Sequence, residues 1–475
     1  MSLHSRTPPP DVSPGLSARL ASHATGFDAR GLAPSVVHAT HRAILDGLGV
    51  MLAASGQSPD VRPFHDWVQA QPGPPQAMVL GLNSRVGAPQ AAMVNGAMAH
   101  ALDYEDAFDL APLHPNASLL PAALAALESR GSPRSGREFL TAVALGCDLV
   151  CRLGLSLKRP LESGGWYPPP ILGAFGATLA AGRLARLDAR QLCDAWSLLL
   201  AQNSCPGEIK HSPDSTLRAV REAFPARAAI ACVELAARGV RGFDAPLEGK
   251  AAFYALFAGG EYDSGALLDG LGERFWIEQL SFKRWPCCRG THAYIEAAQF
   301  LRRAHDFETP QIESVVCVGG DLQRMLAEPQ AQKGRPSTAI EAKFSIPFTV
   351  ALALTCPEVR LGSFVPSMLR DEGLLALAAK CRFQLQPDAR SAAAGELRLH
   401  LRDGRCLHHA IAHAFGEPAR PLSDEALREK FIDCASRAAN PMLPGQAARG
   451  ADRILSLDRE PDAAAALRSI LLERD

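Results

Sequence analysis

The densest run of groups able to move protons is Asn95-Gly96-Ala97-Met98-Ala99-His100-Ala101-Leu102-Asp103-Tyr104-Glu105-Asp106, followed by His114-Pro115. Apolar spacing predicts a helix over Pro89–Leu102. On it His100 and Asp103 are three residues apart and share a face, which makes them a candidate acid/base pair. Ala107–Leu113 reads as a loop that delivers His114 just before a proline, with a new helix start at Ser118. Such a loop can return His114 towards Asp103, where a carboxylate fixes the imidazole tautomer and raises its basicity. Two other readings of this run stay open: a solvated acidic turn with a capping histidine, and a metal site built from His100, Asp103, Glu105, Asp106 and His114. Proton transfer is placed ahead of metal binding because the run has no His-x-x-x-His or Glu-x-x-His spacing, so no metal is expected.

Two further clusters place polar groups in apolar surroundings. Gly164-Gly165-Trp166-Tyr167-Pro168-Pro169-Pro170 reads as a rigid loop that presents Tyr167 at the entrance of a helix over Ile171–Leu187. Its phenol either donates a proton or packs. Phe282-Lys283-Arg284-Trp285-Pro286-Cys287-Cys288-Arg289-Gly290-Thr291-His292 gathers three cations and a histidine. Cations beside a helix N-terminus make a carboxylate receptor, and a solvated basic hinge is the alternative. Lys210, Arg218 and Arg221 read as a wet basic face. No Gly-x-Ser-x-Gly elbow occurs, Gly164-Gly165 runs into aromatic and proline residues, and Gly319-Gly320 has no Gly-Lys-Ser/Thr sequel. Nucleotide cofactors are therefore not expected.

The elements that must hold these residues change character along the chain. Up to about Gly270 the pattern is helical: Ser35–Ala54, Pro89–Leu102, Leu119–Arg130, Arg137–Leu155, Ile171–Leu187, Ala189–Asn203 and Phe224–Gly239 carry apolar residues at three- and four-residue spacings. Ser135 with Glu138 forms a capping box, and Asp188 caps the run that follows it. Beyond Phe282, Thr291–His305 and Glu341–Thr355 still read as helices, but Ile312–Val318 is rich in β-branched residues. Glu396–Arg402 faces Cys406–His413 across Asp403-Gly404, a strong hairpin signal. Asp424–Arg437 and Asp462–Glu473 return to helical periodicity. The expected fold is mainly α: an all-helical domain from residues 1–281 and 414–475, with an α+β domain over 282–413 inserted into it. The cleft between the two is where a small molecule would bind.

Composition narrows the function classes. The chain has 475 residues, 47% hydrophobic and 21% charged, which excludes a disordered or collagen-like protein. A net charge of −1 leaves no cation excess for a nucleic-acid backbone. Twelve cysteines, including Cys287-Cys288 and the Cys147/Cys151 pair, show no zinc-finger spacing and read as reduced, mostly buried thiols. Met1–Pro14 is polar and proline-rich, without the apolar stretch of a secretory signal. No apolar run approaches the ~20 residues needed to span a bilayer. The expected location is the cytoplasm, with neither nucleic acid nor membrane as a partner.

The run from Asn95 to Pro115, the motif Lys283-Arg284-Trp285-Pro286-Cys287-Cys288, and Lys343-Phe344-Ser345-Ile346-Pro347-Phe348 with Ala351 together resemble the MmgE/PrpD family. That family includes 2-methylcitrate dehydratases, cis-aconitate decarboxylases and iminodisuccinate epimerase. The resemblance implies a helical domain with an inserted α+β lid, a homodimer, no required organic cofactor, and a small di- or tricarboxylate substrate. It also implies removal or delivery of a proton next to a carboxylate. By position, Asp103 and His114 match pocket-lining residues of the family, Lys283 matches a lysine that faces the substrate, and Arg218 falls near a pocket lysine. Two departures stand out. Glu105-Asp106-Ala107 lacks the hydroxyl of the Asp-Asp-Thr or Asn-Asp-Thr found in the decarboxylases and methylcitrate dehydratases. Tyr167 stands where the decarboxylases place a histidine before Pro-Pro, which exchanges a group of pKa ~6.5 for one of ~10. The expected activity is thus a dehydratase-like lyase, with Asp103, His114 and Tyr167 catalytic and Lys283, Arg218, Arg289 and His292 binding the substrate. An epimerase, a cis-aconitate-type decarboxylase and a non-catalytic carboxylate binder are the alternatives.

Overall fold

The computed structural model describes residues 15–472 except 130, 213, 388–390 and 392. Met1–Pro14, Arg130 and Glu473, on which parts of the expectations above fall, lie outside the described residues. Helix makes up 58% and strand 9%, so the fold is mainly α with a small α+β part, as the sequence predicts.

The first part is built on α1 (Pro34–Gln57), α2 (Ala88–Ala101), α3 (Pro115–Ser129), α4 (Gly136–Leu155), α5 (Pro168–Leu184) and α6 (Ala223–Ala237). Alanine, leucine and glycine cover α2, α3 and α5 nearly all round, so these helices are buried and central rather than amphipathic. α5 packs against both α3 and α4, and α2 packs against α6. The absence of side chains sets the spacing: a Cβ on Gly176 of α5 would lie 2.5 Å from the Gly146 carbonyl oxygen of α4, and one on Gly96 of α2 would lie 2.6 Å from the Glu222 carbonyl oxygen. The capping boxes at Ser135–Glu138 and Asp188–Gln191 are both present.

The second part holds α7 (His292–Ala304), β1 (Ile312–Gly319), α8 (Asp321–Ala327), α9 (Ile346–Thr355), β2 (Cys381–Leu385), β3 (Gly395–Leu401) and β4 (Cys406–Ile411). The sheet order is β2-β1-β3-β4, with β1 parallel to β2 and antiparallel to β3, and β3 antiparallel to β4. Gly404, at φ 90°, makes the predicted hairpin turn. α7 packs on β3, β4 and α9. Past the hairpin, α10 (Asp424–Ser436) packs on α1, and Ala463–Leu471 packs on α3. Among the described residues no helix is long and apolar enough to cross a membrane.

Some boundaries differ from the sequence reading. α3 starts at Pro115 rather than Ser118, because proline is well suited to a first helical position. The single helix expected over Glu341–Thr355 is two: Ala339–Lys343 ends, then the Ser345 hydroxyl accepts from the Phe348 N–H and α9 begins with Pro347 in its first turn. The strand Cys381–Leu385, the helix Pro444–Ile454 and a short hairpin of Ala77–Val79 with Ser84–Val86 were not anticipated.

Candidate active site

α2 ends at Ala101, and Asp103 takes a left-handed φ of 48°, a conformation that aspartate tolerates better than most residues. Asp103 lies just beyond the helix end, yet its carboxylate stays 3.8 Å from His100 Nδ1, as the three-residue spacing predicts. Ala107 then exchanges backbone hydrogen bonds of 2.9 and 2.8 Å with Ser281, and the Phe108 N–H donates to the Leu113 carbonyl at 2.9 Å. The loop therefore closes on itself and returns His114 to Glu105.

Glu105 is the hub. Its Oε1 lies 2.5 Å from Nδ1 of His100 and 3.0 Å from Nδ1 of His114, which is also 2.9 Å from the Asp106 carbonyl. Acceptors at both Nδ1 atoms place a proton there in each ring and leave Nε2 of His114 as the basic atom. This corrects the expectation that Asp103 orients His114. The Asp103 carboxylate is taken by Lys283, whose Nζ donates to Oδ1 at 2.6 Å and to the backbone carbonyl at 3.0 Å, while His100 Nδ1 is 3.8 Å away.

Electrostatics follow from this burial. Desolvation would raise the Glu105 carboxyl, but Lys283 and then His114 hold it below its usual range. Desolvation acts on Asp103 in the same direction and is likewise overcome by Lys283. Burial lowers His114 well below an ordinary imidazole, against the pull of Glu105, so it is a neutral base. Donor atoms of His100, Asp103, Glu105 and His114 lie within 4.8 Å of one another, a spacing that could hold a metal ion. The Lys283 ammonium already supplies the positive charge there, so the donor set fits an internal cation better than a metal.

His114 borders a cavity of about 140 Å³ that also has Tyr167, Lys210, Arg218 and Arg289 in its wall. Its side chain is 15% exposed, whereas those of His100 and Asp103 are closed off completely and that of Glu105 nearly so. Clefts of about 480 and 920 Å³ lie elsewhere, but neither is lined by His114 or Tyr167, so chemistry rather than size selects this one. Tyr167 directly precedes α5, its N–H donates to the Cys205 carbonyl at 2.8 Å, and Lys210 and Arg221 stand 5.2 and 5.0 Å from its ring centre. The Arg218 guanidinium stacks 3.5 Å from the centre of the Phe344 ring. Arg218 and Arg221 are buried, not the wet face the sequence suggested.

The other expected residues stand apart from the open space. Lys283 is fully buried beneath Asp103 and does not line the cavity. Arg289 lines it, but its guanidinium is committed to Asp109 at 3.1 Å and to the carbonyls of Phe415 and Ala414 at 3.0 and 3.1 Å. His292 is outside: its ring nitrogens meet Arg289 and the Cys287 carbonyl, each at 3.2 Å, and its ring packs edge-on against Trp285.

Sequence reasoning missed a buried clamp behind the site. Lys430 of α10 places Nζ 2.6 Å from Asp46 Oδ1 on α1 and donates to the carbonyls of Tyr104 at 2.7 Å and Lys283 at 3.0 Å. One ammonium thus ties the Asp103–Glu105 turn to the segment carrying Lys283. Nearby, burial together with the Asp46 and Glu105 charges pushes Asp106 up to about 7. Lys343, which the sequence reading quotes in a motif without a role, donates to the Leu102 carbonyl at 2.5 Å, and burial brings it down to about 8.

The chain is similar to known proteins over most of its length. Residues 18–264 match the MmgE/PrpD N-terminal domain and residues 285–449 match the MmgE/PrpD C-terminal domain. The chain is 24% identical to a cis-aconitate decarboxylase of Aspergillus terreus, over 94% of each sequence. It is 24% identical to the cis-aconitate decarboxylase of Mus musculus, over 87% of this chain and 85% of that one. A cis-aconitate decarboxylase-like protein of Aspergillus oryzae is 27% identical over 75% of this chain and 78% of its own.

Proposed function

Because the chain belongs to the MmgE/PrpD family, we propose that it is a lyase that eliminates water from a small hydroxylated di- or tricarboxylate without an organic cofactor. The observation that carries this reading is the neutral His114 at the cavity wall, its Nδ1 3.0 Å from Glu105 and its Nε2 left basic. In the reaction, His114 Nε2 takes the proton next to a substrate carboxylate. The electron pair moves into that carboxylate, and the enediolate charge is met by Arg218. The pair then returns to form the carbon–carbon double bond as the C–O bond to the hydroxyl breaks. Tyr167 protonates the leaving oxygen, and Lys210 and Arg221 beside its ring stabilise the phenolate that remains. Proton return from the imidazolium to the phenolate, directly or through water, resets the site.

Lys283 enters this scheme through Asp103 rather than by touching substrate. Arg289 shapes the wall, and His292 supports Arg289 from behind. The proposal also divides the chain into a helical domain of residues 1–281 and 414–475 and a lid of residues 282–413, acting as a cytoplasmic homodimer.

Decarboxylation is the second reading, favoured by the similarity to cis-aconitate decarboxylases. Tyr167 weighs against it, since the resemblance places an imidazole at this position in decarboxylases, whereas the hydroxyl missing at Ala107 is common to decarboxylases and methylcitrate dehydratases and separates neither. Incubation of hydroxylated carboxylates with wild type and His114→Ala, followed by NMR and mass spectrometry, tests the proposal. Loss of water that depends on His114 supports it, and loss of carbon dioxide replaces it with the second reading.

A further inference from the structure

The wall of the cavity is chemically mixed. It carries His114, Tyr167 and Arg218 together with the apolar side chains of Leu322, Met325, Leu326 and Phe344, and the Arg218 guanidinium lies against the Phe344 ring. Leu322, Met325 and Leu326 are three and four residues apart on α8, so they share one helical face. Leu322 and Met325 remain 46% and 39% exposed. Large apolar side chains held together at the mouth of a small cavity mark a surface that a ligand covers.

Charge in the cavity wall points the same way. Three cations, Lys210, Arg218 and Arg289, face two carboxylates, Asp109 and Glu162. Lys210 lies 3.5 Å from Glu162, and Arg289 is held by Asp109 at 3.1 Å. Among the described residues, Arg218 is the one cation of the wall without a carboxylate partner, and its Nε is buried with no hydrogen-bond acceptor. A single surplus positive charge can seat one carboxylate on a planar guanidinium. Each carboxylate beyond the one on Arg218 adds charge that the wall does not compensate, and a tricarboxylate brings two of these where a dicarboxylate brings one.

We infer that the substrate is a hydroxylated carboxylate bearing an apolar arm, with a carboxylate on Arg218 and the arm against Leu322, Met325 and Phe344, in place of the third carboxylate of a tricarboxylate. This rests on the lyase reading for the hydroxyl and the reacting carbon, but the choice of arm rests on α8 and Arg218 alone.

Calorimetric titration of the full chain with 2-alkylmalates from methyl to hexyl, and with citrate, tests it without requiring turnover. Each methylene that reaches the α8 wall is expected to tighten binding about fourfold, and citrate is expected to bind more weakly than the longer alkylmalates. In Leu322→Gln and Met325→Gln the gain per methylene is expected to shrink towards onefold. Affinity that stays flat or falls along the series, or citrate binding tighter than every alkylmalate, would overturn the inference. Steep chain-length dependence in both variants would also overturn it, because the arm would then lie elsewhere. NMR of the same mixtures separates the two claims. Chain-length tightening without loss of water rejects the lyase reading and keeps the ligand class, and loss of water from citrate with flat alkylmalate affinities does the reverse.

Discussion

The Glu105 carboxylate lies 3.0 Å from Nδ1 of His114, in the orienting position that the sequence reading of the returning loop gives to Asp103. The displacement has a local cause. α2 stops at Ala101 and Asp103 turns at positive φ, which hands its carboxylate to Lys283 and leaves the next acid to meet the returning loop.

The first consequence concerns the two members of that pair. His114→Ala is expected to lower kcat by about 10²- to 10⁴-fold, with a small change in thermal midpoint because Glu105 keeps its bond to His100. Glu105→Gln is expected to lower kcat by about 10²-fold while KM changes little, since it frees the imidazole tautomer without altering the cavity wall. Steady-state kinetics and thermal melts of both variants check this. Near-normal turnover in His114→Ala removes the assignment.

Asp103 and Lys283 behave as a buried ion pair. Asp103→Asn leaves the Lys283 ammonium enclosed without its nearest carboxylate, and a loss of about 3–5 kcal/mol in unfolding free energy is expected. The double variant Asp103→Asn with Lys283→Met is expected to recover part of that loss, because no unpaired charge remains. Urea unfolding of the single and double variants reads the difference.

The acid limb of kcat/KM reports the base in the free enzyme. Burial lowers His114, so it stays neutral below pH 6.5, and the limb is expected at more acid pH than for an exposed histidine. Asp106 gives a stability test of opposite sign. Its folded value is raised from 3.8 to about 7, so the fold holds a proton that the unfolded chain releases between these values. Its contribution to stability is therefore present at low pH and is lost as pH rises towards 7. Asp106→Asn removes that loss and is expected to stabilise the protein at pH 8, by a few kcal/mol in order of magnitude, with the gain shrinking towards pH 5. Urea titrations at the two pH values check it.

Lys430 links the C-terminal helix to the site. Lys430→Met abandons the buried Asp46 and releases the carbonyls of Tyr104 and Lys283. A destabilisation of about 3–5 kcal/mol is expected, together with a fall in kcat. Combining it with Asp46→Asn is expected to restore stability more than kcat, because the carbonyls stay unclamped.

Legibility in the sequence followed the range of the interaction. The helices, the Ser135 and Asp188 caps and the Asp403-Gly404 hairpin were visible because each is set by residues within a few positions of one another. His114 and Tyr167 were visible as reactive groups beside prolines that begin helices. The exchange of roles between Asp103 and Glu105 was not, because it turns on one backbone angle and on Lys283, 180 residues away. Lys430 gave no signal at all: in the charged pattern of Asp424–Ser436 it looks like any solvated lysine, and only the packing of α10 on α1 buries it. Arg218 and Arg221 misled for the same reason, since three basic residues in a short stretch look exposed until Phe344 and Tyr167 are seen against them.

The most direct test of the central claim is turnover of a hydroxylated dicarboxylate in deuterated water, followed by NMR and mass spectrometry for wild type and His114→Ala. The expected result is formation of an alkene with loss of water in wild type and its near absence in the variant. Loss of carbon dioxide, label uptake without loss of water, or equal turnover by the two proteins would contradict it.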